Sequence, residues 1–418
     1  MSLGSHGCHL CLFFQAAGRS KPQAAMGCGA RSFMNTMAQN QPKGESSEDD
    51  KPFSPPSLSL CSALLDRFLK VGFALMDKGL VPDFLIRFAS RLLLGQTLAG
   101  HRKGGSEAQA DALNAMVKQL KLLPIAIKTA DANEQHYEVP TEYFLRCLGP
   151  NLKYSCCLYE DLKRDTLGEA EERMLSLYCD RADLADLKPG STVLDLGCGW
   201  GSLSLYLAKR YPQHNFVSLS NSKTQREFIE GRAEERNLGN LRVHTGDIAE
   251  FDGFGEGTFH RILSIEMFEH MKNYELLLEK LYRWLKPKGK LFVHIFTHMR
   301  HTYHYEVQSE SDWMTKYFFE GGTMPSHDLL LHFQKHLKIE RTWHINGKHY
   351  ARTSRQWLDL MDANKAEILN LFSRKTAYGD EAYAWFVRWR VFYIAVEEMF
   401  AYDGGEEWGV SHYKFVKD

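Results

Sequence analysis

The stretch Val193-Leu194-Asp195-Leu196-Gly197-Cys198-Gly199-Trp200-Gly201 constrains this chain more than any other. An apolar run ends in an acid, and three glycines two residues apart follow at once. The run reads as a buried strand and the glycines as a tight turn. Without Cβ atoms they allow unusual backbone angles and let a ligand lie against the main chain. Ser202 to Arg210 follows with helical spacing, so its first N–H groups would face that ligand. Gly-x-Gly-x-Gly differs from the dinucleotide fingerprint Gly-x-Gly-x-x-Gly, and no phosphate-seeking Lys-Ser/Thr follows. Taken alone, the turn leaves open a glycine-rich strand-to-helix junction with no ligand.

What surrounds it narrows the fold. Strands are expected at Thr192–Leu196, Asn215–Leu219, Leu241–Thr245, Arg261–Ile265 and Lys290–Ile295, and helices at Ser202–Arg210, Thr224–Arg236 and Tyr274–Trp284. Such alternation implies right-handed crossovers and a parallel-rich α/β sheet with helices on both faces. Ligands then bind at the carboxyl ends of the strands. A charged helix, Leu167–Asp180, precedes the first strand. The segment from about Phe296 to Met361 breaks the rhythm with Trp, Tyr, His and Phe and reads as an inserted lid. Ala382–Phe400 and Trp408–Phe415 supply an outer helix and a closing strand.

Toward the N-terminus the composition changes. Residues 1–36 carry Arg19, Lys21 and Arg31 with no acid before Glu45, the composition of a mitochondrial or plastid transit segment. An unstructured extension, or a start at Met37 in a cytoplasmic protein, is the alternative. Gln39–Ser59 is polar and rich in Pro, Ser and acids, a linker. The expected organisation is thus an extension over 1–59, a helical region and cap over 60–165, and the α/β domain over 166–418 with its lid at about 296–361. Between Leu60 and Leu98 apolar residues recur at helical spacing, with Pro82 opening a second helix, and Ala108–Thr129 reads as another. Such helices are expected to pack on their own domain or on a second copy in a homodimer, with a place on a membrane surface as the alternative.

Charge and cysteine usage exclude several classes. Lys and Arg number 51 against 52 Asp and Glu, a net charge of −1, so nothing draws nucleic acid or an anionic membrane. No apolar run approaches the about 18 residues of a membrane-spanning helix. Of nine cysteines, none follows Cys198, so the second half of the chain cannot be stapled by disulfides and a reducing compartment is expected. Cys8-x-x-Cys11 lacks a second close pair and reads as incidental, and no metal site is expected.

Three strand ends should converge on the ligand: the glycine turn, then Ser220-Asn221 with Gln225, then Gly246-Asp247-Ile248. Asn221 stands where a ribose-binding carboxylate often does, so a ribose contact would be amide-based. Asp247 beside Ile248 suits an adenine. The fourth strand ends in Ser264-Ile265-Glu266-Met267-Phe268-Glu269-His270. Residues 266, 269 and 270 share one face if a helix starts there. A carboxylate beside an imidazole raises its proton affinity and fixes its tautomer, which suits deprotonation of an ammonium group. Capping by Glu266 with a solvated His270 is the plainer alternative.

Several separated motifs in one order resemble the coclaurine N-methyltransferase-like branch of the cyclopropane-fatty-acid synthase superfamily, from about Leu80 to the C-terminus. They are His136-Tyr-Glu-Val-Pro140, Leu152-Lys-Tyr-Ser-Cys-Cys157, the glycine turn, Ser264 to Tyr274, Tyr317-Phe-Phe-Glu-Gly-Gly-Thr-Met-Pro-Ser326, Asn346-Gly-Lys-His-Tyr350 and Gly405-Glu-Glu-Trp408. The resemblance implies a class I S-adenosylmethionine-dependent methyltransferase fold acting on a small-molecule acceptor. It implies that Tyr154 and Ser155 close over S-adenosylmethionine. Gly197 and Gly199 would line its methionine part, Asn221 and Gln225 the ribose, Asp247 and Ile248 the adenine, and Ile265 the methyl-bearing side. Glu266, Glu269 and His270 look like an acid/base cluster in which Glu269-His270 takes the amine proton while Glu266 holds the amine.

Related lipid cyclopropane synthases hold a bicarbonate, and Cys156, Glu269, His294 and Tyr350 look similar to that cage, which keeps methyl transfer to an unsaturated lipid as an alternative. Those synthases carry a C-terminal cysteine that this chain lacks. Aromatic residues including Tyr317 and Phe318 fit a flat amine and, nearly as well, an acyl chain, with Cys156, His294 and Tyr350 as further acceptor-site candidates. Methyl transfer to a thioether or thiol, and a catalytically silent S-adenosylmethionine-binding module, complete the alternatives.

Overall fold

The helical spacing in the N-terminal region is realised as α1 (Asp83–His101), α2 (Gly105–Leu122) and α3 (Thr141–Cys147). These come from a computed structural model that describes residues 70–127, 139–307, 312–375 and 378–418. The transit-segment, linker and Cys8-x-x-Cys11 readings lie outside them. Gly72–Asp418 forms one compact unit. Pro82 stands at the N-cap of α1, as the sequence predicts. The helix expected over Ala108–Thr129 is shorter because Pro124 turns Leu123 to extended backbone and ends it. Arg102–Gly104 forms the turn between α1 and α2.

α4 (Leu167–Arg181) is started by a capping box in which Thr166 and Glu169 each satisfy the other's backbone N–H. The core follows as β1 (Thr192–Leu196), α5 (Ser202–Arg210), β2 (Asn215–Ser220), α6 (Lys223–Glu235), β3 (Leu241–Thr245), β4 (Phe259–Ile265), α7 (Tyr274–Trp284) and β5 (Leu285–His298). Consecutive strand residues go to opposite faces of the sheet. Val193, Leu263 and Phe292 join one buried cluster, while Leu194, Ile262, Leu291 and Val293 join the other. Near-continuous apolar runs are what a sheet covered on both faces demands.

The segment expected to be one lid insertion divides differently. β6 (Tyr303–His304) and β7 (Thr323–Met324) form a small antiparallel ribbon, but β8 (Lys338–Ile345) is a strand of the main sheet. α8 (Lys348–Ala363), α9 (Lys365–Lys375), α10 (Ala382–Ala401) and β9 (Trp408–Val416) complete the chain. The sheet order is β3-β2-β1-β4-β5-β9-β8, the first five parallel and β9 running antiparallel between β5 and β8. The alternating helix–strand rhythm reports only the parallel part. β8 is paired through β9, far along the chain, and carries no such signal.

α10 is buried along most of its length, yet it holds Arg388, Arg390, Glu397 and Glu398. Each meets an opposite charge. Arg388 pairs with Asp77, Arg390 with Asp83 and Asp362, and Arg87 with both Glu397 and Glu398. These pairs fix α1 across the helix that walls the site described below.

α8 begins at a crowded point. A Cβ on Gly347 would run into the backbone carbonyls of Trp408 and Phe400. Overpacking against main chain costs about 1–3 kcal/mol. Gly347→Ala is therefore expected to lower the midpoint of urea denaturation, and an unchanged midpoint would show that this junction yields freely.

Candidate active site

Three connected hollows open at the carboxyl ends of β1 to β4, and Glu266 lines all of them. The first is a cleft bordered by Gly197, Gly199, Asn221, Gln225, Asp247 and Ile248. The second is a recess under the glycine turn, bordered by Tyr154, Ser155, Asp195 and Ile265. The third is a chamber walled by Tyr305, Phe319, Tyr350, Trp357, Phe392 and Phe400, into which Glu266, Glu269 and His270 reach. His270 borders both cleft and chamber, and Tyr154 both recess and chamber.

The cleft is built from strand ends held to one another. Gly197 and Cys198 donate their N–H groups to the Leu219 carbonyl, which straps the turn to β2. Gly197 has φ +79°, and a Cβ there would stand 2.7 Å from Met267 Cγ, so only glycine keeps the passage between turn and Met267 open. Gln225 is buried. Its Oε1 accepts from Ser220 Oγ at 2.7 Å, while its Nε2 donor has no hydrogen-bond partner. An orphan buried donor of this kind is costly unless a ligand takes it. Asp247 Oδ1 accepts from Ala249 N at 2.9 Å, an Asx turn that orients the carboxylate.

Glu266, Glu269 and His270 do not share a helical face. Glu266 has φ +48°, in the left-handed region, and Phe268–His270 is a single 3-10 turn. A chain reversal at the end of β4, and no α-helix, brings the three side chains to one chamber.

The carboxylate of Glu266 is held from three sides. Oε1 accepts from His294 Nε2 at 3.0 Å and from the backbone N–H of Cys156 at 3.3 Å, while Oε2 accepts from Tyr350 Oη at 2.6 Å. Burial pushes its pKa up to about 7, partly offset by the Tyr350 hydrogen bond. Glu269 is also buried, and its Oε2 has no partner. Burial, and then the neighbouring charge of Glu266, hold it well above the usual carboxylate range. Deep burial holds His294 well below its ordinary value, reinforced by Lys153 and Arg181, so the imidazole is neutral.

Of the remaining expected residues, Tyr350 lines the chamber, whereas Cys156 and His294 stand behind Glu266 and donate to it. The Cys156 thiol points to the Cys157 carbonyl at 3.3 Å, and burial raises it far above the range of a reactive cysteine. Phe318 and Tyr317 do not border the chamber. Phe318 stacks on Phe392 at 4.6 Å from behind, and Tyr317 lies against the Arg388 guanidinium. The donors of the expected bicarbonate cage converge on the Glu266 carboxylate, and Glu269 makes no bond to them.

Residues that sequence reasoning missed include Asp195, Met267 and Tyr305. Asp195 had a signal, as the acid ending the strand before the glycines. It is buried under the turn, accepts from Ser204 Oγ at 2.5 Å, and is pushed up to about 7 by burial. Met267 and Tyr305 had none, because their places depend on the chain reversal and the β6–β7 ribbon.

The sheet order and a site assembled at its strand ends define a class I methyltransferase. Residues 126–390 match the family described as mycolic acid cyclopropane synthetase. The chain is 41% identical to an (S)-coclaurine N-methyltransferase of Thalictrum flavum subsp. glaucum over 82% of its length and 94% of that protein's. It is 30% identical to the cyclopropane-fatty-acyl-phospholipid synthase of Escherichia coli (strain K12), over 73% of this chain and 75% of that protein. A crystal structure of coclaurine N-methyltransferase bound to N-methylheliamine and SAH superposes with TM-score 0.79 at 37% identity, over 85% of this chain and all of that one. The chain thus belongs to the mycolic acid cyclopropane synthetase family, in its coclaurine N-methyltransferase-like branch, and is an S-adenosylmethionine-dependent methyltransferase.

The geometry of the turn sets the first test at the site. Gly197→Ala meets both a positive φ and Met267, and is expected to weaken S-adenosylmethionine binding tenfold or more, about 1.4 kcal/mol. Titration calorimetry checks it, and unaltered affinity would mean that the cofactor does not use this passage.

Proposed function

We propose that the protein transfers a methyl group from S-adenosylmethionine to the nitrogen of a small amine carrying a flat aromatic system. The observation that carries this reading is a pair of buried carboxylates with His270, set where the cofactor cleft meets an aromatic-walled chamber. Aromatic faces attract cations, and a buried carboxyl with an unpartnered oxygen, as on Glu269, favours a positively charged guest.

The residues present suit the cofactor. Asp247 and Ile248 would hold the adenine, Asn221 and the unpartnered Nε2 of Gln225 the ribose, and Ile265 the side from which the methyl leaves. The recess has an acid, Asp195, and the Lys153–Ser155 pair, a charge arrangement that suits the ammonium and carboxylate of an amino acid. When bound, S-adenosylmethionine supplies an electrophilic methyl group.

The chain's own residues do the rest. An incoming ammonium restores the negative charge that burial opposes on Glu266 and Glu269. Glu266, fixed by its three donors, holds the amine in place. Glu269 with His270 takes the ammonium proton, which frees the nitrogen lone pair for attack. The aromatic walls exclude water and restrict the amine to few orientations. Glu266 occupies the donor set that a bicarbonate would need, which supports nitrogen over an alkene as acceptor.

The pH dependence has a definite sign. A carboxyl raised to about 7 is protonated below that pH, so kcat/KM for an amine falls as pH drops through it. An ordinary carboxylate would place this limb near about 4.3. A steady-state profile between pH 5 and 9 checks the position of the limb, and a flat response down to pH 5 would remove Glu266 from the reaction.

Substrate class is tested with methyl-labelled S-adenosylmethionine against aromatic amines, thioethers and unsaturated phospholipid. Label is expected in amines, and label in lipid alone would overturn the reading. His270→Ala is expected to lower kcat for protonated amines by about a hundredfold or more, the usual range for a lost acid–base group, and far more than it lowers cofactor affinity. Parallel loss of rate and affinity would mark His270 as structural.

A further inference from the structure

Antiparallel pairing sets His294 of β5 directly opposite His412 of β9, both fully buried. His294 Nδ1 lies 2.7 Å from His412 Nε2, and His412 Nδ1 lies 2.5 Å from the guanidinium of Arg181 at the end of α4. With the His294–Glu266 bond this forms one line, from Arg181 through two imidazoles to the carboxylate at the reaction centre.

The line has a direction. A guanidinium only donates, so His412 Nδ1 must be bare and its proton sits on Nε2. That N–H points at His294 Nδ1, which must then accept, leaving the His294 proton on Nε2 and aimed at Glu266. Tyr178 Oη also lies 3.0 Å from this Nδ1, whose single lone pair is taken by the shorter His412 contact at 2.7 Å. Among the described residues Arg181 pairs with no carboxylate; it lies over the Trp343 ring at 4.8 Å and meets His412. Its closest partner in the fold is thus an imidazole, which is what tautomer control requires.

We propose that Arg181 and His412 are positioning residues for methyl transfer, locking His294 in the tautomer that offers Glu266 an N–H and keeps it a carboxylate. The idea rests on the reading of Glu266 as the group that holds the amine. Without Arg181 both imidazoles can exchange tautomers. His294 then turns a bare Nε2 toward Glu266, and only a protonated carboxyl satisfies that nitrogen. The other groups facing Glu266 are the Cys156 N–H and Lys153 beside it, Tyr178 on α4, Tyr350 on α8, and Glu269 with His270 on the turn. Tyr178, Arg341 and the Trp343 ring face Arg181.

The test uses the full-length enzyme labelled with 15N-histidine, with His294 and His412 assigned by single substitution. Wild type is expected to show both rings bare at Nδ1 and protonated at Nε2. Arg181→Met is expected to lose that pattern and to move the acid limb of kcat/KM upward by about half a pH unit or more. Arg181→Lys, which keeps a donor, is expected to restore both. An Nδ1-protonated ring in wild type overturns the proposal even where the Met variant does not fold. So does a folded Arg181→Met enzyme with an unmoved limb. The expected tautomers with no transfer to any amine uphold the lock and overturn only the substrate reading.

Discussion

The buried carboxylate of Glu266 is the constraint on which the rest of this structure depends. It sits on a left-handed backbone, a conformation that costs a non-glycine residue on the order of 1–3 kcal/mol and persists only where the surroundings over-determine it. They do so here through three donors from three separate elements: Cys156 from the segment before α4, His294 from β5 and Tyr350 from α8. Two of these donors are placed by features elsewhere. Register with β9 supports His294, and a glycine that admits two backbone carbonyls lets α8 begin where Tyr350 can reach.

This arrangement lets one residue serve three hollows. Because Glu266 borders the cleft, the recess and the chamber, its ionisation is felt wherever donor and acceptor meet. Burial opposes its charge, and the hydrogen bonds support it. The balance leaves the group poised near neutrality instead of fixed in one state, as a site that must receive a cation requires. Glu269 is more deeply penalised, since it has the same burial, the repulsion of Glu266 and no partner on Oε2.

The walls of the chamber come from helices far from β4 in the chain. α10 brings Phe392, Val396, Met399 and Phe400 to the site, and its outward charges bind α1. Most of these ion pairs are partly exposed, so each contributes modestly. Glu398 is the exception: nearly buried and met by both Arg87 and Arg91, it anchors α1 to the wall. The helices that the sequence marks as N-terminal packing elements thus act on the acceptor side of the site.

Much of this was legible in the residues themselves. The apolar run before three glycines can only be a buried strand entering a turn, because local sterics and burial decide it. The alternation that follows fixes a parallel-rich sheet for the same reason, and Asn221, Gln225 and Asp247 then fall at strand ends by counting. Non-local pairing was not legible. β8 looked like lid because its partner β9 lies more than sixty residues onward. Glu266, Glu269 and His270 looked like one helical face because nothing local announces a left-handed glutamate. His412 carries no local signal, since its meaning lies in the β5–β9 register. The sequence by itself determined the class of fold, the cofactor and the cluster of acids that closes β4. Only the tertiary structure decided which groups touch those acids, because burial and hydrogen bonding between distant segments, and not residue type, set the charge a carboxyl carries.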